Sequence, residues 1–297
     1  MIKEVQAKTL LSTSKNPSSW FGVKYNMNIY RGCEHQCIYC DSRSECYRIE
    51  NFHDVIVKVN AIELLRRELS KKRIKGTVGT GAMSDPYTPA EKTYMLTRKA
   101  LEVITEFRYP VHIVTKSNLV LRDIEILQEI NKLYACVAFT ITTTDDDLAR
   151  KLEPGAPLPS ERLKAMGVLS ELGITTCVTM MPILPFIEDN EENILDIVKQ
   201  SHRYGAKSIV SGIGVTLRDR QRAYYYDKLD SLDPELRSKY EKKFGNSYSC
   251  PGIKGKKLKE LFNEACYKNG ISTEMPSYYK KISSIQLSFL DSDTGKF

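Results

Sequence analysis

Tyr30-Arg31-Gly32-Cys33-Glu34-His35-Gln36-Cys37-Ile38-Tyr39-Cys40 places three cysteines at a C-x3-C-x2-C spacing in one short loop. Thiolates that close together can meet on a single soft-metal centre. An iron–sulfur cube normally takes four cysteines, and this loop supplies three, so one iron would stay open to a ligand that is not protein. Structural zinc is the competing reading, with Cys33, Cys37 and Cys40 as three ligands and a distant Cys or His as the fourth. Zinc sites more often pair two C-x2-C units, or one such unit with histidines, and the chain has no second pair. Gly32 permits a backbone turn just before the first cysteine.

Working outward, residues 25–29 alternate between apolar and polar and predict a strand that delivers the loop at its C-terminal end. After Glu50, residues 54–58 read as a short β-branched strand. Asn60 then predicts a helix cap, completed by Glu63 as a capping box, with Ile62, Leu65 and Leu69 as the buried stripe. From Gly76 onward strands are predicted at 77–81, 111–115, 135–142, 174–181 and 208–215. Helices at 91–107, 122–132, 160–172 and 191–204 fall between them. With the first, that makes six strands alternating with helices, the pattern of a parallel sheet.

Three segments are expected: a turn-rich lead-in over 1–24, the α/β unit over 25–220, and a mainly helical extension over 221–297. The chain has 297 residues, 41% hydrophobic and 27% charged, enough for one large core. No apolar run reaches the length of a membrane span, and residues 1–15 lack the apolar core of a signal peptide, so a cytoplasmic, monomeric protein is expected. Eight cysteines in such a chain predict free thiols rather than disulfides. The net charge of +7 permits a nucleic-acid partner without requiring one. Residues 221–297 hold 14 Lys+Arg against 10 Asp+Glu, which makes this quarter the better candidate for an anion-facing surface.

The cysteine loop, set after a strand near the start of the chain, resembles the signature of the radical S-adenosylmethionine (SAM) enzymes. Later stretches are similar to one branch of them, the spore photoproduct lyase-like proteins. The resemblance spans about residues 25–220 and implies a partial (β/α)6 TIM-like barrel carrying the helical extension. It also implies a [4Fe-4S] cluster on Cys33, Cys37 and Cys40, with the open iron chelated by the amino and carboxylate groups of SAM. An electron from a reductant such as flavodoxin or ferredoxin would then release a 5′-deoxyadenosyl radical that abstracts hydrogen from a substrate. A damaged or modified nucleic acid, a peptide and a small metabolite all fall within that class.

The residues at the strand ends carry the expected cofactor contacts. In Gly79-Thr80-Gly81-Ala82-Met83-Ser84-Asp85-Pro86 small residues let a ligand approach the backbone, and Ser84 and Asp85 can bond an ammonium group, although Ser-Asp-Pro is also a common turn. The resemblance assigns this strand end to the methionine amino group. It assigns Lys116, by position otherwise a solvated loop lysine, to the methionine carboxylate, and Tyr39 to the adenine. Thr140 and Thr142 read as hydroxyls for the ribose or carboxylate, or as ordinary strand-end threonines. Glu153 and Arg162 flank Pro154-Gly155-Ala156-Pro157 and read equally as a structural ion pair or as cofactor contacts. Met181-Pro182 and Gly212-Ile213-Gly214 would form the edges that receive adenine.

The chain departs from the lyases at two positions. They carry a hydrogen-donating cysteine where this chain has Ala82, and a relay tyrosine where it has Asp41. A radical generator is therefore expected with a substrate other than the thymine dimer of spores. Cys46 is the candidate replacement hydrogen donor, with an exposed loop cysteine as the other reading. Cys136, Cys177 and Cys266 fall on apolar stripes and predict core positions, Cys250 has no reading, and the four lack the spacing of a second cluster. Arg218, Arg220 and Arg222 lead into Tyr224-Tyr225-Tyr226, which suits either phosphates and stacked bases or a solvated surface. Trp20 is expected to plug an end of the barrel or to stack on substrate. Two rivals from other classes stand beside the enzyme: a zinc-stapled or electron-carrying protein, and a nucleic-acid-binding module with a structural cluster.

Overall fold

A strand such as Ala135–Thr140, apolar along nearly its whole length, cannot leave either face to water and has to be covered on both sides. The computed structural model, which describes residues 1–17, 21–49, 51–52 and 54–278, meets that demand with helices laid against a mostly parallel sheet. Its strands are β1 (Ile2–Val5), β2 (Leu11–Thr13), β3 (Val23–Met27), β4 (Tyr30–Arg31), β5 (Val55–Lys58) and β6 (Thr77–Thr80). There follow β7 (Val111–Thr115), β8 (Ala135–Thr140), β9 (Thr175–Ile183), β10 (Ser208–Thr216) and β11 (Ser249–Pro251). The main sheet runs β2-β3-β6-β7-β8-β9-β10-β11. Its six strands from β3 to β10 are parallel, as the alternation predicts, and β2 and β11 are antiparallel edges. Among the described residues β2 and β11 do not pair with each other, so the sheet is an open, partial barrel and not a closed one.

The core lies between the sheet and the helices Leu96–Glu106, Ile124–Asn131, Pro159–Glu171 and Glu191–Arg203. Cys136 and Cys177, on neighbouring strands, are fully buried with their sulfurs 3.6 Å apart, and Cys266 is buried on Gly255–Lys268, all three as expected. The expected helix 91–107 is broken: Met95 sits at φ 52°, ending Glu91–Tyr94 and beginning Leu96–Glu106.

Two segments differ from expectation. The lead-in is built structure, since β1 pairs with β5 in a separate sheet of order β1-β5-β4 and β2 pairs with β3. β1 is largely exposed, so its alternation carries no apolar signal. Asn60 does not cap its helix; its amide clamps the backbone of Ala7 through two bonds of 2.9 Å. Trp20 lies outside the described residues.

The extension is helical over Asp219–Leu232, Pro234–Phe244 and Gly255–Lys268, but it also returns β11 to the edge of the main sheet. Cys250 is buried there in a second core with Tyr225, Tyr226 and Tyr240. The tyrosine run is therefore largely interior: Tyr225 and Tyr240 share a 2.9 Å hydroxyl bond, and Tyr240 donates to the Pro185 carbonyl. No helix among the described residues is long and apolar enough to cross a membrane.

His112 on β7 is buried, stacks on Phe21 at 5.6 Å, and neither ring nitrogen has a hydrogen-bond partner. Burial disfavours the imidazolium and pushes its pKa down from 6.5 to about 4. The unfolded chain then takes up a proton below pH 6.5 that the folded chain refuses until about 4, so folding stability falls as pH drops through that window. Urea unfolding of wild type and His112→Phe should show a smaller acid loss for the variant, by about 2 kcal/mol between pH 7 and 4.5. Identical pH profiles would contradict this account of His112.

Candidate active site

The C-terminal ends of the parallel strands open onto one cavity of about 710 Å³, a volume within the usual range for a small-molecule site. The cysteine loop forms one wall. Gly32 turns into it at φ 80°, and a Cβ there would lie 2.3 Å from the Asp54 carbonyl oxygen, so no other residue fits without a backbone shift. The loop is fastened along its length. Glu34 accepts from the Ala90 amide at 2.7 Å, the Ile38 amide donates to the Leu152 carbonyl, and the Gly155 amide donates to the His35 carbonyl.

Of the residues expected from sequence, Cys33, Cys37, Cys40, Tyr39, Ser84, Asp85, Lys116, Thr140, Met181 and Gly212 all line this cavity. Thr142, Glu153, Arg162 and Cys46 are not among its lining residues. Glu153 and Arg162 stand behind the wall as a buried pair: Arg162 bonds Glu153, the Pro157 carbonyl at 2.7 Å and the Thr140 carbonyl at 3.0 Å. Every group of that guanidinium is engaged with protein, which favours the structural ion pair. Cys46 sits on an exposed turn. Thr142 is buried and bonds Glu188.

Asp85 lines the cavity, yet its carboxylate is used inside the protein. Oδ1 accepts from the Tyr87 amide at 2.9 Å and the Thr115 hydroxyl at 2.7 Å. Oδ2 accepts from the Lys116 amide at 2.7 Å and lies 3.3 Å from Nδ1 of the buried His35. Burial disfavours both charges; the neighbouring Cys33 sulfur and then Asp85 outweigh it to hold His35 high, and His35 in turn holds Asp85 low. Asp85 is thus an anchor for the loop and for β7. Ser84 is different: its hydroxyl is buried and has no hydrogen-bond partner, an unusual state that a ligand would relieve.

Lys116 reaches the cavity with Nζ 3.7 Å from Glu153 and 5.6 Å from the centre of the Tyr39 ring. Burial opposes its charge, but Cys37 and Glu153 beside it keep the ammonium above its ordinary range. The Tyr39 hydroxyl donates to Glu153, so one buried carboxylate serves Lys116, Arg162 and Tyr39 together. Glu188, close behind, is pushed up to about 8 by burial, and one of its oxygens has no partner.

The thiols respond to the same surroundings. Burial pushes Cys37 and Cys40 up, while His35 overcomes burial and lowers Cys33. Among the described residues no three Cys, His, Asp or Glu side chains are grouped for a single metal ion. A cube binds each thiolate at a different iron, so it needs cysteines along a shared wall and not at a common point. The donor chemistry therefore suits a cluster, and the orphaned Ser84 and cationic Lys116 suit an amino-acid ligand next to it. His35, Tyr47, Phe52, Ser249 and Pro251 also line the cavity and were not singled out in the sequence. His35 was legible only as a residue interleaved between Cys33 and Cys37; β11 had no signal at all.

Three comparisons bear on this site. The family model for the radical SAM superfamily matches residues 27–198. An uncharacterized protein of Mycobacterium tuberculosis is 30% identical over 246 residues, 80% of this chain and 72% of that one. An uncharacterized protein of Methanocaldococcus jannaschii is 34% identical over 193 residues, 64% of this chain and 70% of the relative. Among solved structures, a mutant spore photoproduct lyase with bound AdoMet and dinucleoside spore photoproduct superposes with a TM-score of 0.68. That match covers 91% of this chain and 80% of the lyase at 16% identity, which establishes a common fold.

Ser84→Ala should leave the apo protein as stable as wild type, because the removed hydroxyl bonds nothing, while weakening SAM binding to the reconstituted protein by roughly five- to tenfold. Thermal unfolding and equilibrium dialysis check the two halves. Unchanged SAM affinity would remove Ser84 from the site.

Proposed function

The chain belongs to the radical SAM superfamily, and from that premise we propose that it is an enzyme abstracting hydrogen from a modified base in a nucleic acid. Cys33, Cys37 and Cys40 would hold a [4Fe-4S] cluster, and Ser84 and Lys116 would orient the amino and carboxylate groups of SAM. When bound, cluster and SAM supply an adenosyl radical able to take a hydrogen atom from carbon. The chain's own residues prepare for it: Asp85 fixes the loop, Glu153 holds Lys116 in place, and the apolar edges at Met181 and Gly212 restrict water. The observation that carries the reading is the single cavity in which three thiols, an orphaned hydroxyl and an ammonium converge.

The nucleic-acid part rests on two supports. The lyase of the same fold is named with a dinucleoside bound. In this chain Lys254 and Lys256 are exposed three and five residues after Pro251, which lines the cavity, so a short step along the chain from the cavity wall supplies two cations for a phosphate backbone. Neither lyase relay position is present, since Ala82 and Asp41 stand there, so a different modified base is the expected substrate.

Anaerobic reconstitution with iron and sulfide, then dithionite and SAM, should yield 5′-deoxyadenosine from wild type and none above background from Cys37→Ala. A four-iron cluster that forms without releasing 5′-deoxyadenosine would end the enzyme reading in favour of an electron carrier. Binding to a DNA oligonucleotide should weaken with salt, and Lys254→Ala with Lys256→Ala should lower the slope of log K on log salt by about two. A slope that both proteins share would detach these lysines from any nucleic-acid contact.

A further inference from the structure

Arg218, Arg220 and Arg222 look in sequence like a phosphate-binding run, and the structure uses all three internally. Arg222 donates to the carbonyls of Leu217, Gly245 and Ser247 and closes the extension on itself. Arg218 and Arg220 point the other way, across to the segment just after the cysteines. Both oxygens of Asp41 accept from Arg218 Nη2, at 3.0 and 2.8 Å, and Arg218 Nε donates to the Ser44 hydroxyl at 3.0 Å. Arg220 donates to the carbonyls of Arg43, at 2.8 Å, and Ile49. Gln221, fully buried, donates from one nitrogen to the carbonyls of Tyr39 at 3.1 Å and Thr216 at 2.9 Å. The Glu45 amide in return donates to Asp219 at 3.3 Å. Tyr224, on the same helix, stacks on the Arg43 guanidinium at 3.7 Å, and Arg43 Nε reaches the Cys37 carbonyl at 3.4 Å.

We infer that the N-terminal end of helix Asp219–Leu232 is a staple that sets the conformation of the cluster loop, with Arg218, Arg220 and Gln221 as positioning residues. The staple lies outside residues 27–198 matched by the family model, so this chain completes its cluster site with a segment from beyond that region. Two physical facts argue for more than incidental packing. Residues 41–49 form only short 3-10 turns at 41–43 and 45–47, with few backbone bonds of their own, so side-chain donors from elsewhere must define their path. Gln221 has no exposure, and its amide has no alternative partner in water once it leaves Tyr39 and Thr216. Tyr39 immediately precedes Cys40, so the bond to its carbonyl fixes the third ligand most directly.

The inference rests on the cluster reading of the cysteines only for its consequence; the staple itself is testable in the apo chain. Hydrogen exchange on apo wild type, Gln221→Leu, Arg218→Gln and Arg218→Lys should show amides 40–48 exchanging roughly tenfold faster in the first two variants. Arg218→Lys, which keeps a charge for Asp41, should lie between them and wild type, and β7 and β8 should exchange as in wild type throughout. After anaerobic reconstitution and gel filtration, Gln221→Leu and Arg218→Gln should retain about half or less of the iron and sulfide per chain that wild type keeps, because a displaced Cys40 leaves two irons of the cube without a protein ligand. Exchange at 40–48 equal to wild type in both variants overturns the staple. So does faster exchange confined to the extension. A wild-type chain that takes up no cluster would instead sink the reading of the cysteines, with the exchange result still deciding the staple.

Discussion

One carboxylate joins the parts of this site that arise from different stretches of chain. Asp85, in the loop that follows β6, binds His35 of the cysteine loop, the hydroxyl of Thr115, and the amide of Lys116 just after β7. Its side chain is 8% exposed, so these bonds form in surroundings where an unmatched charge would be costly. The cysteine loop, the segment after β6 and the end of β7 are thereby held in one arrangement before any ligand arrives. Glu153 does the same one layer back, serving Lys116, Arg162 and Tyr39. The cavity is therefore shaped by two satisfied carboxylates, and the group left unsatisfied in its lining is the Ser84 hydroxyl.

The parallel core was readable because each buried strand is an apolar run ended by turn residues and followed by a helix of regular period, as in 111–115 and 135–140. The cysteine loop was readable from spacing alone. The antiparallel additions were not. β1 is exposed on nearly all its residues and β11 has three, two of them exposed, so neither leaves a periodic trace. Asn60 shows the limit of local rules: the capping-box pattern is present, but the tertiary partner Ala7 takes the amide. At the site, the sequence located Ser84, Asp85 and Lys116 without revealing which of them is free to meet a ligand. That depends on bonds between strands, such as Asp85 to Thr115, which no spacing encodes.

The extension changes character between sequence and structure. The arginine–tyrosine run at its start read as either a phosphate- and base-binding segment or a solvated surface, yet Tyr225 and Tyr240 are wholly buried, and Arg218 and Arg220, just before the extension, spend their donors on the loop after the cysteines. Ser249 and Pro251 meanwhile become cavity wall. The part of the chain beyond the family match thus shapes both the segment that follows the cysteines and the cavity wall formed by Ser249 and Pro251.

The central claim is that three cysteines leave one iron of the cluster free for SAM. Mössbauer spectroscopy of protein reconstituted with 57Fe, recorded with and without SAM, tests it most directly. The account predicts that SAM moves one iron of the four to parameters of higher coordination and leaves the other three unchanged. A spectrum in which all four irons are equivalent and indifferent to SAM would mean a fourth protein ligand, and would contradict it.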